Sequence, residues 1–280
     1  IGTAAEDHLL HSLYNIESTG WGTPFLLVPE ATTVDESLLK LLSDAKKENL
    51  VLSNNSPLGV RFHYLKGTAG ETIKLQRIKN GKPGSPCTEK HLVSNTEFTE
   101  EPICTASYKY QRLKIAQLHT LNLPEKEFRE QYANVVDKEC LCVGLSNTAA
   151  ETYNISFIRG RKETTICPGP NIAWFSQTVS LQTMTDHLYG RENIIANDRR
   201  PHMFITELNL YVDYLKEEME KQDARPDARH KKYCHDFYRH IMEGITYYRD
   251  LPVSYIADQQ HFHRALDEAE NACRQLMELD

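Results

Sequence analysis

The sequence has little of what marks a membrane, secreted or nucleic-acid-binding chain. No run of about 18 apolar residues occurs, which is the length a helix needs to cross a bilayer. Basic residues are outnumbered: 32 Lys and Arg against 39 Asp and Glu give a formal net charge of −7 over 280 residues. Non-specific nucleic-acid binding draws on a basic face that neutralises phosphates, and this balance argues against it. The seven cysteines are too few, too scattered and of the wrong parity for the dense disulfide framework of a small secreted domain. Residues 1–7 carry neither a basic n-region nor an apolar h-region, so a reduced cytoplasmic setting is the expectation, and the sequons at Asn54 and Asn154 are read as chance. Also missing are the G-x-S-x-G elbow, the Walker loop, a complete G-x-G-x-x-G and H-E-x-x-H. No internal repeat or low-complexity tract is present. At 40% hydrophobic residues, the chain is well outside the composition of disorder and long enough to bury a sizeable core.

What is present is mostly helical punctuation. Residues 3–15 read as a short amphipathic helix, with Leu9, Leu10 and Leu13 at helical spacing and Glu6 and Asp7 in the first turn. The apolar run Phe25 to Val28, bounded by Gly and Pro, suggests a buried strand or an extended segment. Thr33-Val-Asp-Glu36 and Thr68-Ala-Gly-Glu71 have the form of capping boxes, the first opening a helix with the stripe Val34, Leu38, Leu42 and Ala45, the second a helix stopped by Gly81. Further helices are expected at 105–119, after Pro124 at position N1, and at 140–153. A turn is expected at Cys167-Pro-Gly-Pro170, and Ser180 can cap a helix ended by Gly190. From Thr206 the pattern is purely amphipathic. Its stripes are Leu208, Val212, Leu215 and Met219, then Tyr233, Phe237, Ile241 and Ile245, then Phe262, Leu266, Ala269, Cys273 and Leu276. A charged, Pro-broken connection at 223–227 separates the first two, and the three helices should pack on one another or on the preceding domain.

Four groups of residues could carry chemistry. Gly2-Thr3 and Gly22-Thr23 are Gly-bearing segments one helix apart, where backbone N–H groups could approach an anion; ordinary turn glycines are the plainer account. Cys87, Cys104, Cys140, Cys142 and Cys167 could supply metal ligands, but no C-x-x-C exists. On a helix, moreover, Cys140 and Cys142 would point about 200° apart, which favours buried free thiols. His230, His235 and His240 fall five apart and cannot share a helix face, so a solvated face is expected, and Asp186 and His187 read as surface or capping residues. Trp174-Phe175 could line a cavity or simply fill core.

Several segments together resemble the flavin-dependent nitronate monooxygenase (2-nitropropane dioxygenase) family. Ile1-Gly-Thr-Ala-Ala-Glu-Asp7 resembles that family's Gly-Ile-Gly-Thr loop and following helix, and Thr19-Gly-Trp-Gly-Thr-Pro-Phe25 its next loop. Ser56-Pro-Leu-Gly-Val-Arg-Phe62 and Glu139-Cys-Leu-Cys-Val-Gly-Leu145 resemble segments that follow the barrel in longer members, and all four occur in the family's order. The resemblance implies an α/β to mainly α architecture. Residues 1–50 would be the last βα elements of a (β/α)8 barrel, 51–205 a loop-rich helical extension or lid, and 206–280 a helical tail that could support a homo-oligomer. It implies FMN as cofactor, its phosphate held at Gly2, Thr3, Gly22 and Thr23. It also implies oxidation of a small-molecule substrate such as a nitronate, with the family's catalytic motif absent from this chain. Enoyl-reductase-like or polyketide accessory activity within the same family is the neighbouring alternative. A non-catalytic helical interaction module, or a metal protein using the five cysteines, is the rival from another class.

Overall fold

Side-chain caps decide where most helices begin. In the computed structural model, which describes residues 1–87, 89–155, 160–195, 200–224 and 228–278, the helices are α1 Ala4–Tyr14, α2 Gly22–Phe25, α3 Glu36–Ser43, α4 Ala69–Lys79, α5 Tyr108–Thr120, α6 Glu125–Asp137, α7 Leu141–Thr152, α8 Leu181–Leu188, α9 Met203–Ala224, α10 Ala228–Arg249 and α11 Gln259–Glu278. Two strands, β1 Leu50–Ser53 and β2 Phe62–Leu65, pair antiparallel with Leu50 opposite Leu65 and Ser53 opposite Phe62. The chain is therefore mainly helical with one small two-stranded sheet. No helix among the described residues is long and apolar enough to cross a membrane.

Thr68 caps α4 by accepting from the Glu71 N–H at 3.2 Å, and Gly81 takes the left-handed conformation at φ +67° just beyond its end, as the sequence suggests. Ser180 likewise accepts from the Thr183 N–H, and Gly190 at φ +72° follows α8. The box read at Thr33 is displaced. Asp35, immediately before Glu36, is the cap and accepts from Leu38 N–H at 3.0 Å, while the Thr33 carbonyl accepts from the Thr148 hydroxyl. Ser107 caps α5, so that helix begins at Tyr108 rather than Thr105, and Pro124 is the residue before α6 rather than its first.

Two compact units form. One comprises 1–21, 186–193 and 197–280, the other 22–185 and 194–196. The division is discontinuous in sequence. In the first unit α9, α10 and α11 pack together through the stripes read from the sequence: Leu208, Leu215, Ile241, Ile245, Phe262, Leu266 and Cys273 are buried, and Leu9 of α1 joins them. Tyr233 is the exception at 44% exposed. The connection read at 223–227 lies largely outside the described residues. In the second unit Leu38 and Leu42 of α3, with Leu27, Leu65, Ile172 and Phe175, make the core.

The run Phe25 to Val28 is not a strand. Leu26, Leu27 and Val28 each donate to the carbonyl three residues back, so the segment coils in tight turns with Leu27 and Val28 fully buried. A four-residue apolar run has too few periods to separate a buried strand from a buried turn. Residues 1–49 consist of helices and turns, with no strand among them.

Truncating Leu266, which is fully buried at the meeting of α9, α10 and α11, should cost about 2–5 kcal/mol. Leu75→Ala on the exposed face of α4 should stay within about 0.5 kcal/mol, and urea unfolding of the two variants checks the contrast.

Candidate functional site

The densest concentration of buried polar groups lies in the second unit, where the segments between α6 and α7 and after residue 160 meet α4. Glu139 is 6% exposed. Its Oε2 accepts from the Tyr64 hydroxyl at 2.8 Å and lies 3.4 Å from Lys74 Nζ, while Oε1 has no hydrogen-bond partner. Burial pushes the Glu139 carboxyl up, and the Lys74 charge opposes without overcoming it. Burial and the nearby Glu139 charge also raise Tyr64. Lys74 is anchored separately by Asp137 Oδ1 at 2.9 Å. Gly70 lets α4 approach: a Cβ there would lie 2.6 Å from Glu139 Oε1 and 2.9 Å from the Thr164 carbonyl, to which the Gly70 N–H donates.

Beside this acid sits Cys140. It precedes α7 rather than lying within it, and its carbonyl accepts the first helical bond, from Gly144 N–H at 3.0 Å. Cys140 stands outside α7, so the separation expected of two helical residues does not apply to the pair, and the Cys142 thiol bears on Cys140 as a hydrogen-bond donor. That bond, with help from Ser85 and the Arg161 guanidinium, lowers Cys140 to about 5 despite its burial. Cys142 moves the opposite way, chiefly because it donates to Cys140. Arg161 is itself held: Nη2 donates to Ser85 Oγ at 2.9 Å and Nε to both oxygens of Glu163 at 3.0 Å. Burial would raise Glu163, but Arg161 and Arg77 outweigh it and keep the carboxyl below the ordinary range. A cavity of about 20 Å³ is lined by Lys74, Ser85, Lys138, Glu139, Cys140 and Glu163 among others.

The residues expected to hold phosphate are divided between the units. In the first, the Gly2 N–H donates to Glu6 Oε2 at 2.7 Å, and Thr3 caps α1 by accepting from Glu6 N–H. The same Glu6 carboxylate receives both Arg200 guanidinium nitrogens, at 2.7 and 2.9 Å, and the Met203 N–H that opens α9. Burial alone would raise Glu6, but Arg200 and the Gly2 N–H hold it below the usual carboxylate range. Thr3 also lines a cavity of about 180 Å³ with Arg200, His202, Tyr255 and His261. In the second unit Gly22 is exposed, and Thr23 Oγ1 accepts from the Gly169 N–H at 2.9 Å.

Other candidates fall out differently. His187 is not a surface residue: it is 2% exposed, its Nε2 donates to the Gly2 carbonyl at 3.0 Å, and Trp21 packs edge-on against its ring. Phe175 is core. His230 donates to the Glu218 carbonyl at 3.1 Å. Among the described residues no three His, Cys, Asp or Glu side chains are arranged to hold a metal ion. Lys74 and Arg161 lie in no motif, and Glu139 stands at the head of the family-like segment that holds the C-x-C pair, where nothing in the sequence singles out the acid. Comparison with family models, curated proteins and solved structures found no match to this chain.

Gly70→Ala should destabilise by about 1–3 kcal/mol, although the same change inside an unobstructed helix stabilises by up to about 1 kcal/mol; the midpoint of urea unfolding reads the sign. A carboxyl raised on folding stabilises while protonated and loses that contribution as pH climbs through its folded value. Wild-type stability should therefore fall relative to Glu139→Gln as pH rises above the ordinary carboxylate range, measured by unfolding the pair across a pH series.

Proposed function

We propose that this chain is the C-terminal portion of a flavin-dependent oxidoreductase resembling nitronate monooxygenase, acting on a small substrate. The observation that carries the reading is the joining of two of the family-like segments, which are some eighty residues apart in sequence. The segments abut at their leading edges: Glu139 N–H donates at 2.9 Å to the carbonyl of Asn55, the residue before the first segment, and Nζ of Lys138, the residue before the second, donates to the Ser56 carbonyl at 3.1 Å. Matches scattered by chance have no reason to meet in one buried site. On this reading residues 1–50 belong to the end of the barrel, contributing helices and turns, and residues 51–205 extend beyond them.

The cofactor fits only in part. Thr3 and Thr23 accept backbone hydrogen bonds and keep a hydroxyl proton to donate, and nothing stands within 4 Å of where a Gly22 side chain would be. Gly2 does not fit as arranged, because its N–H is engaged by Glu6 and its Cα faces the Arg200 guanidinium. An FMN phosphate at Gly2 would have to displace a buried carboxylate that already holds Arg200 and two backbone N–H groups. The helical-module alternative draws on exposed Tyr211, Tyr233 and Tyr247 on α9 and α10, which suit a contact with a second copy.

A polypeptide carrying this chain, purified and supplied with FMN, should turn yellow, retain flavin through gel filtration and consume oxygen when a nitronate is added. A colourless protein that ignores FMN and elutes as a dimer would replace this reading with the helical module.

A further inference from the structure

The C-x-C pair has the chemistry of a dithiol, and four independent features of its surroundings converge on that use. Cys140 stands at the N-terminus of α7, where the unsatisfied N–H groups of a twelve-residue helix favour a negative sulfur. Arg161 approaches the same sulfur, with its own orientation set by Ser85 and Glu163. Leu141, between the two cysteines, is helical, so their Cα atoms lie about 5.4 Å apart. That separation is within the span of about 4.4–6.8 Å that a disulfide bridges. Finally, Cys140 and the buried Glu139, whose Oε1 has no hydrogen-bond partner, line the same cavity of about 20 Å³. A space of this size has room for a molecule about as large as water, and hydrogen peroxide is among the smallest two-electron oxidants of a thiol.

We propose that Cys140 and Cys142 form a peroxide-reactive dithiol, with Cys140 the attacking thiolate, Cys142 the resolving thiol and hydrogen peroxide the oxidant. The Cys140 thiolate attacks one peroxide oxygen: the S–O bond forms, the O–O bond breaks, and the departing hydroxide takes up the proton that Cys140 released on ionising, with the neighbouring Glu139 carboxyl relaying it, and leaves as water. Sulfur is oxidised to the sulfenic acid and peroxide is reduced. Cys142 then attacks the Cys140 sulfur; the S–S bond forms, the S–O bond breaks, and the hydroxyl leaves as a second water with the Cys142 proton. The balance is two thiol groups and one peroxide to one disulfide and two waters. The raised acidity of Cys140 supports this order of attack, as does the reluctance of Cys142 to ionise. Cys167 is a built-in control: it is exposed, yet its thiol is pushed up. This inference does not depend on flavin.

The test treats the wild-type chain, reduced and freed of reductant, with limiting hydrogen peroxide and follows each cysteine by differential alkylation and peptide mass spectrometry. Cys140 should be oxidised at least about tenfold faster than Cys167, and the product should be a single peptide bearing a Cys140–Cys142 disulfide. In Cys142→Ser, oxidation should stop at a Cys140 sulfenic acid trapped by dimedone. Cys140 reacting no faster than Cys167 overturns the proposal, and that comparison needs no variant. A disulfide from Cys140 to Cys87 or Cys104, both near enough to interact with the pair electrostatically, overturns the assignment of Cys142.

Discussion

The need to partner buried carboxylates organises both units. Glu6, Glu139 and Glu163 are all less than 9% exposed, and each is met by groups far away in sequence. An unpaired buried charge costs several kcal/mol, so each such acid recruits a cation, a backbone donor, or a proton. Glu6 recruits Arg200 and two backbone N–H groups, which ties the start of α1 to the start of α9. Glu163 recruits Arg77 of α4 and Arg161, tying the segment after α7 back to α4. Glu139 finds only Tyr64 and a shared Lys74, and it shifts toward the neutral form. The three acids thus share one constraint and resolve it differently.

That difference separates the structural acids from the reactive one. Glu6 and Glu163 are saturated with donors and lie below the ordinary carboxylate range, which makes them fixed anions that hold segments together. Glu139 keeps an oxygen without a partner, lines a small cavity, and adjoins Cys140, whose environment favours the thiolate. A carboxyl shifted upward beside a thiol shifted downward at one cavity is the pairing that the proposed proton relay draws on. The surrounding hydrophobic core, centred on Leu27, Leu38, Leu65 and Phe175, supplies the stability that permits so costly a collection of buried polar groups.

Much of the helical architecture was legible because it depends on local rules. The caps at Thr68 and Ser180, the left-handed glycines at 81 and 190, and the stripes of α9, α10 and α11 follow from spacings of three and four residues. Sequence and structure part company where a local rule has no discriminating power. Phe25 to Val28 is apolar and buried, as expected, but a run of four residues does not distinguish turn from strand. Cys140 and Cys142 point apart only if both are helical, and Cys140 stands just outside α7. His187 has no neighbour in sequence that betrays its burial; its partner, the Gly2 carbonyl, lies 185 residues away.

By itself, then, the sequence determined the helical class, most helix starts and stops, and which faces of the last three helices are buried. Each of these depends on interactions within about four residues, which the chain carries with it wherever it folds. Only the tertiary structure decided which acids are buried, which distant cations meet them, and that Lys74 and Arg77 of α4 come to the cavity beside Glu139 and Cys140. Those outcomes depend on contacts between residues tens to nearly two hundred positions apart, for which no spacing in the sequence is diagnostic.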